Sequence, residues 1–164
     1  MSLKKAPSAR SPAKGKAETP GTTQSAAARR ASEAQLRTLV AKFASDRLRL
    51  VGALRRWLQK RLPTAHEIVY EYRDCFVISY SPNEHGYDGA LAIRASAEGI
   101  KLYFNFGTGL PDPGILLRGS GNQTRWIGVE GMPTLARPEI TRLIDEAIAR
   151  NPKPFARVGR AYAQ

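Results

Sequence analysis

Between residues 66 and 130 the chain alternates apolar and polar residues in segment after segment, with no helical stretch between them. This run of half-buried strands constrains the fold more than any other feature. The clearest alternation lies at 100–106, where Ile100, Leu102, Phe104 and Phe106 share one face and Lys101, Tyr103 and Asn105 the other. Residues 66–73 set Ile68, Tyr70 and Tyr72 opposite Glu67, Val69, Glu71 and Arg73. Phe76, Ile78 and Tyr80 then alternate with Val77 and Ser79, so a tight connection at Asp74 predicts a hairpin. The turn-rich residues 81–89 precede Leu91, Ile93 and Ala95, and after a Gly- and Pro-rich stretch at 107–114 residues 124–130 read as a last strand, with Ile127 and Val129 inward. Helical spacing brackets the strands. Leu36, Leu39, Val40 and Phe43 follow a capping Ser32; Leu48, Val51, Leu54, Leu58 and Leu62 form a second stripe ending at Pro63. Pro138 opens a closing helix through Ile140, Leu143, Ile144 and Ile148. Helices, then strands, then a helix predict an α+β fold, an antiparallel sheet of four to five strands packed against N-terminal and C-terminal helices, and exclude a doubly wound dinucleotide fold.

Charge divides the chain differently. Of 164 residues, 26 are Lys or Arg and 14 Asp or Glu, a formal net charge of +12. Residues 1–30 hold Lys4, Lys5, Arg10, Lys14, Lys16, Arg29 and Arg30 against Glu18 alone, so half of the excess lies there. That segment is dominated by Ala, Ser, Pro, Gly and Thr, with Leu3 its only large aliphatic besides Met1, and is too poor in large apolar residues to offset the entropy of ordering. It reads as a disordered basic tail on a domain at 31–154, with 155–164 as a C-terminal extension. No apolar run reaches the roughly 18 residues that span a bilayer, and no secretory hydrophobic region follows Lys4 and Lys5, so a cytoplasmic protein without a membrane partner is expected. One Cys, Cys75, excludes an intramolecular disulfide and a multi-Cys zinc site.

The segment with most chemical promise is the loop at 118–125. Gly119 and Gly121 can expose backbone N–H groups as an anion nest around Ser120 and Asn122, and Arg118 and Arg125 bring fixed donors to its two ends. Lys101 and Tyr103 flank it on the polar sheet face, which the pattern extends to Glu71, Arg94, Asn105 and Arg125. The loop lacks the Gly-Lys-Ser/Thr ending of a nucleotide-hydrolysing loop. A plain Gly-rich turn with Arg118 and Arg125 paired to acids of the sheet is the competing reading. The charge also predicts a second partner class. Lys4, Lys5, Lys14, Lys16, Arg29 and Arg30, with Arg55 and Arg56 of the arginine-rich second helix, could grip nucleic-acid phosphates without sequence preference, and aromatics interleaved with cations on a sheet can stack single-stranded bases.

Other candidates have simpler explanations. His85 and Asp88 beside Glu84 are too few ligands for a metal, and Cys75 within a strand reads as a small buried hydrophobe. Glu67, Glu71 and Asp74 read as acids of a solvated sheet face balancing arginines. No cofactor and no catalytic residue is expected, and enzyme activity ranks below binding.

Residues 31–154 resemble the YdhG-like family of small bacterial domains of unknown function, whose fold is related to that of frataxin. The likeness is carried by Leu110, Pro111, Asp112 and Pro113 with Leu116 and Leu117, then Gly119, Ser120, Gly121, Asn122, Gln123, Thr124 and Arg125, a following strand, and Pro138 opening the last helix. It departs from the family at Tyr72, Arg73 and Asp74, where a Met-Pro or aromatic turn is common. The resemblance implies an antiparallel α+β fold and an important 119–125 loop. It also raises an iron-carrier role, which would need an acidic oxygen-rich surface where this chain has arginines. The expectation is a non-enzymatic binding or accessory domain that recognises an anionic ligand or partner through the loop at 119–125.

Overall fold

The structure, a computed structural model, describes residues 21–158 except residue 44. Its elements run α1 Ala26–Val40, α2 Ser45–Arg61, β1 His66–Glu71, β2 Cys75–Ser81, β3 Leu91–Ser96, β4 Gly99–Phe104, β5 Arg125–Val129, α3 Met132–Ala136 and α4 Pro138–Ala149. The strands form one antiparallel sheet in the order β1-β2-β3-β4-β5, each pairing with its neighbour in sequence. The α+β architecture expected from the alternating segments is therefore present.

Register fixes which residues share a face. Phe76 lies opposite Ala95, Ile78 opposite Ile93 and Tyr80 opposite Leu91; these continue through Ile100, Leu102 and Phe104 to Val129 and Ile127. All of them are buried, together with Leu54, Leu58, Leu135, Leu143 and Ile144 from the helices. Each such side chain removed from water stabilises the fold by about 1.5–3 kcal/mol. Helix α2 packs on β3 and β4, α4 on β3, and α3 on β5, so the helices cover this one face. On the opposite face the segment 82–90 folds over the β1–β2 corner. There the Ser79 hydroxyl donates to the Gly86 carbonyl (3.0 Å) and the Ser81 hydroxyl to the His85 carbonyl (2.6 Å).

The first helix begins earlier than the composition suggests. Ser25 caps it, its hydroxyl accepting from the Ala28 amide at 3.1 Å, and the Ala-rich run 26–31 has the highest intrinsic helix propensity. Residues 26–30, read as tail, are thus helical, whereas residues 1–20 lie outside the described residues. Helix α1 also closes the free edge of β1. The Gln24 side chain exchanges hydrogen bonds with the Glu67 backbone (3.1 and 3.0 Å), Ser32 Oγ donates to the Glu67 carbonyl (2.8 Å), and Gln35 donates to the Val69 carbonyl (3.4 Å). An edge strand's unpaired amides and carbonyls would otherwise invite pairing with another chain. At the other terminus Phe155 packs against the core and the Ala156 carbonyl accepts from Thr64 Oγ1 at 2.6 Å, so the start of the extension is part of the domain. Residues 159–164 lie outside the described residues. Among the described residues no helix is long and apolar enough to cross a membrane.

Candidate functional site

The second sheet face carries two rows of cross-strand neighbours, buried at Ser79 and Ala92 and open from β4 onward. One row runs from Ser79 through Ala92 and Tyr103 to Trp126. Beyond β5 an isolated bridge extends it to Arg118, whose amide donates to the Trp126 carbonyl at 2.8 Å and whose carbonyl accepts the Trp126 amide at 2.9 Å. The parallel row runs Val77, Arg94, Lys101, Gly128. Strand spacing separates members of a row by about 4.8 Å, and the two rows lie about 7 Å apart. Aromatic rings and cations therefore stand side by side on one surface.

Trp126 is the centre of this surface. The Lys101 ammonium lies 4.1 Å from the centroid of its ring and the Arg118 guanidinium 5.9 Å, both within cation–π range. Arg94, directly opposite Lys101, stands in the same row of cations. Among the described residues none of the three makes an ion pair with a carboxylate. Glu71 does not belong to this face: its register partner is Phe76 of the helix-covered side, and its carboxylate meets the Lys42 ammonium at 2.8 Å. Arg125 is likewise in register with Phe104, not with Tyr103.

The loop at 118–125 divides between presenting and supporting roles. Arg118, Gly119, Ser120, Gly121 and Asn122 are exposed, and Gly119 holds a φ of +117° that favours glycine. Arg125 turns back on the loop, donating to the Gly121 carbonyl at 2.5 Å and the Thr124 carbonyl at 2.9 Å. It shapes the loop from inside, so Arg118 is the loop's outward guanidinium. Among the described residues neither arginine forms the ion pair with an acid that the plain-turn reading requires. Upstream, both carboxylate oxygens of Asp112 accept backbone amides, Leu116 at 2.9 Å and Leu117 at 2.8 Å, which fixes the approach to Arg118.

The cations assigned to nucleic acid are scattered. Lys4, Lys5, Lys14 and Lys16 lie outside the described residues. Arg30 and Arg56 are exposed, and Arg29 donates to the Pro63 carbonyl at 2.7 Å. Arg55 is not at the surface: its guanidinium holds Glu67 through Nη2 (2.5 Å) and Nε (3.0 Å) and reaches Glu33 at 2.7 Å. Burial works against its charge, but the bonds to Glu67 and Glu33 outweigh it and hold the proton more firmly than usual.

Sequence reasoning missed this cluster because Glu67 faces the helices instead of solvent. Glu67 is 7% exposed and opposite Tyr80, whose hydroxyl donates to its Oε2 at 2.7 Å, with Gln59 adding a 3.3 Å bond. Burial, reinforced by the Glu67 charge, pushes the Tyr80 phenol well above its ordinary range. The Arg55 bond holds Glu33 below the usual carboxylate range. Glu67, Tyr80, Gln59 and Glu33 line a cavity of about 310 Å³ between α1, α2 and β1. Every oxygen of the Glu67 carboxylate is already satisfied, so the cluster fastens α1 and α2 to the sheet. The cue available in sequence was a Glu alternating in phase with Val69.

Elsewhere, His85 stacks on Tyr87 (5.2 Å), while Asp88 accepts from Asn83 and Lys153, both at 2.9 Å. His66 Nε2 lies 2.8 Å from Thr22 Oγ1, and Cys75 is buried. Among the described residues no three His, Cys, Asp or Glu side chains are placed to hold a metal ion. In comparisons with known proteins no family model, no curated protein and no solved structure matches the chain.

Proposed function

We propose that this is a binding domain for an anionic ligand or partner, read by the open sheet face and the edge of the 118–125 loop. One observation carries the reading: Lys101 and Arg118 converge on a single indole, with Arg94 beside them, and among the described residues none of the three forms an ion pair with a carboxylate. Protein cations without a partner acid keep their donors available for an incoming phosphate or carboxylate. The reading favours binding over turnover because charged donors converge there and, among the described residues, no paired nucleophile and base do. Kinship with the YdhG-like domains, carried by the 110–125 segment and Pro138, is part of the same proposal.

Calorimetric titration of the full chain with inorganic tripolyphosphate tests it. Changing Lys101 and Arg118 together to Ala is expected to weaken binding roughly tenfold or more, each having supplied a charged hydrogen bond. Unchanged affinity in that double variant refutes the reading. The alternative, a non-specific nucleic-acid grip through the basic N-terminal segment and the helix arginines, keeps Arg30 and Arg56 as exposed contributors but loses Arg55 to Glu67 and Glu33.

A further inference from the structure

We infer that the ligand of the open sheet face is single-stranded nucleic acid, its bases stacked along Tyr103 and Trp126 and its phosphates on Arg94, Lys101 and Arg118. This rests on the anion-binding reading above and gives it a chemical class.

Three features point this way together. First, Tyr103 and Trp126 are direct cross-strand neighbours on β4 and β5, so two aromatic side chains stand next to each other on one partly exposed surface. Stacking on such a platform tolerates any base, because every base has a π face. Second, the row of Arg94 and Lys101 runs parallel to the aromatic row about 7 Å away. A strand crossing the sheet can thus lay its backbone on one row while its bases cover the other. Gly128, the small residue of the cation row on β5, leaves room between the large side chains, since a Cβ there would meet nothing within 4 Å. Third, Arg94 and Lys101 are like charges placed directly opposite each other, an arrangement that weakens a sheet. Glu98 and Glu130 line a hollow with Lys101, but no carboxylate among the described residues forms an ion pair with Arg94 or Lys101, so a polyanion complements the pair.

Duplex fits this surface less well, because its bases are already stacked on one another and offer no face to Trp126. Lys101 now sits over the indole; in the complex its ammonium moves to a phosphate and releases the ring face to a base. Arg118, at the end of the aromatic row, closes the platform from the loop side.

The test uses the full chain carrying Trp57→Phe, so that Trp126 is the only tryptophan, and four probes: dT20, rU20, an abasic 20-mer with the same phosphate backbone, and a 20-base-pair duplex. Binding of dT20 or rU20 is expected to quench Trp126 emission, and the abasic strand is expected to bind more weakly without that quenching. Trp126→Leu is expected to weaken dT20 binding roughly 5- to 150-fold, the range for losing a stacked base, and to leave abasic binding nearly unchanged. Each of Arg94→Ala, Lys101→Ala and Arg118→Ala is expected to flatten the slope of log affinity against log salt by about 0.7. A preference between dT20 and rU20 identifies which nucleic acid is taken. If dT20, rU20 and the abasic strand bind alike with no change in Trp126 emission, stacking is refuted while anion binding stands. Preference for the duplex overturns the single-strand assignment. If the three cation variants bind every probe and tripolyphosphate as the native chain does, the anion-binding reading itself falls. The quenching measurement needs no change at Trp126, so it decides the question even if Trp126→Leu fails to fold.

Discussion

Replacing Arg55 by Met should remove more stability than any surface change, and the size of the loss follows from what its guanidinium touches. The side chains of Arg55 and Glu67 are only 15% and 9% exposed, and two of the four hydrogen bonds to the Glu67 carboxylate come from Arg55. Removing one member of a buried pair leaves the other charge stranded, at a cost of about 3–5 kcal/mol. Tyr80 and Gln59 still donate to Glu67, which places the expected loss at the lower end, about 3 kcal/mol. The Glu33 arm is half exposed and adds less than about 1 kcal/mol. Urea unfolding followed by circular dichroism reads this directly. With a denaturant slope near 2 kcal/mol/M, the midpoint falls by about 1.5 M. The difference between native and variant narrows in acid. Glu33 has a depressed folded pKa, so its contribution is present above its unfolded value and disappears as the pH falls through the folded one. A companion variant with Arg55→Met, Glu67→Leu and Tyr80→Phe removes the buried pair together with the Tyr80 hydroxyl, leaving only Gln59 and the half-exposed Glu33, and should return to within about 1–2 kcal/mol of native. A loss below about 1 kcal/mol for Arg55→Met alone would refute the buried pair as a fastening of α1 and α2.

Two further changes probe the same geometry. Tyr80→Phe should cost about 1.5–3 kcal/mol at neutral pH for its charged hydrogen bond, and that cost should shrink above pH ~10. The raised phenol contributes stability in full below its unfolded value, then loses it by up to about 1.4 kcal/mol per pH unit as the pH climbs toward the folded value; urea midpoints at pH 8 and 10.5 check the sign. Ile115, 86% exposed with φ +51°, sits in the left-handed region that β-branched residues avoid, and Ile115→Gly should raise the thermal midpoint by the equivalent of about 0.5–1 kcal/mol. A lower midpoint would show that the Ile115 side chain supports the loop.

What the sequence reveals is local. Alternation at 100–106 correctly sorts Ile100, Leu102 and Phe104 inward and Lys101 and Tyr103 outward, because β4 is flanked by strands on both sides and the pleat leaves no other register that hides its apolar set. The same rule says less at β1, where Ile68 and Tyr70 look as apolar as Val69. There the inward face includes Glu67, held by an arginine twelve positions earlier that periodicity cannot pair with it. The start of α1 was hidden for a compositional reason: Ala and Arg suit a solvated tail and a helix equally, and only contacts of Gln24 and Arg29 with residues far along the chain choose the helix. For the candidate site, Arg118, Lys101 and Tyr103 were legible, but Trp126 as their meeting point depends on the β4–β5 register. The inward turn of Arg125 depends on loop carbonyls that no motif specifies.

The two faces of the sheet treat positive charge in opposite ways, and this yields a decisive substitution. On the helical side Arg55 meets Glu67 and Glu33, Arg61 meets Asp145, and Lys42 meets Glu71, so cations there fasten one element to another. On the open side Arg94 faces Lys101 with no acid between them, which costs the sheet about 0.2–1 kcal/mol. Arg94→Glu turns the like pair into an opposite one. If the open face exists only to be solvated, the variant should gain up to about 1 kcal/mol, and nothing else should change. If it holds a polyanion, the same variant gains stability and loses affinity for dT20 together, because the carboxylate both relieves Lys101 and repels phosphate. Ordinary damage to the fold would lower both. A variant that melts higher and binds less therefore separates a functional charge from a structural one, whereas one that melts lower would remove the argument from like-charge pairing altogether.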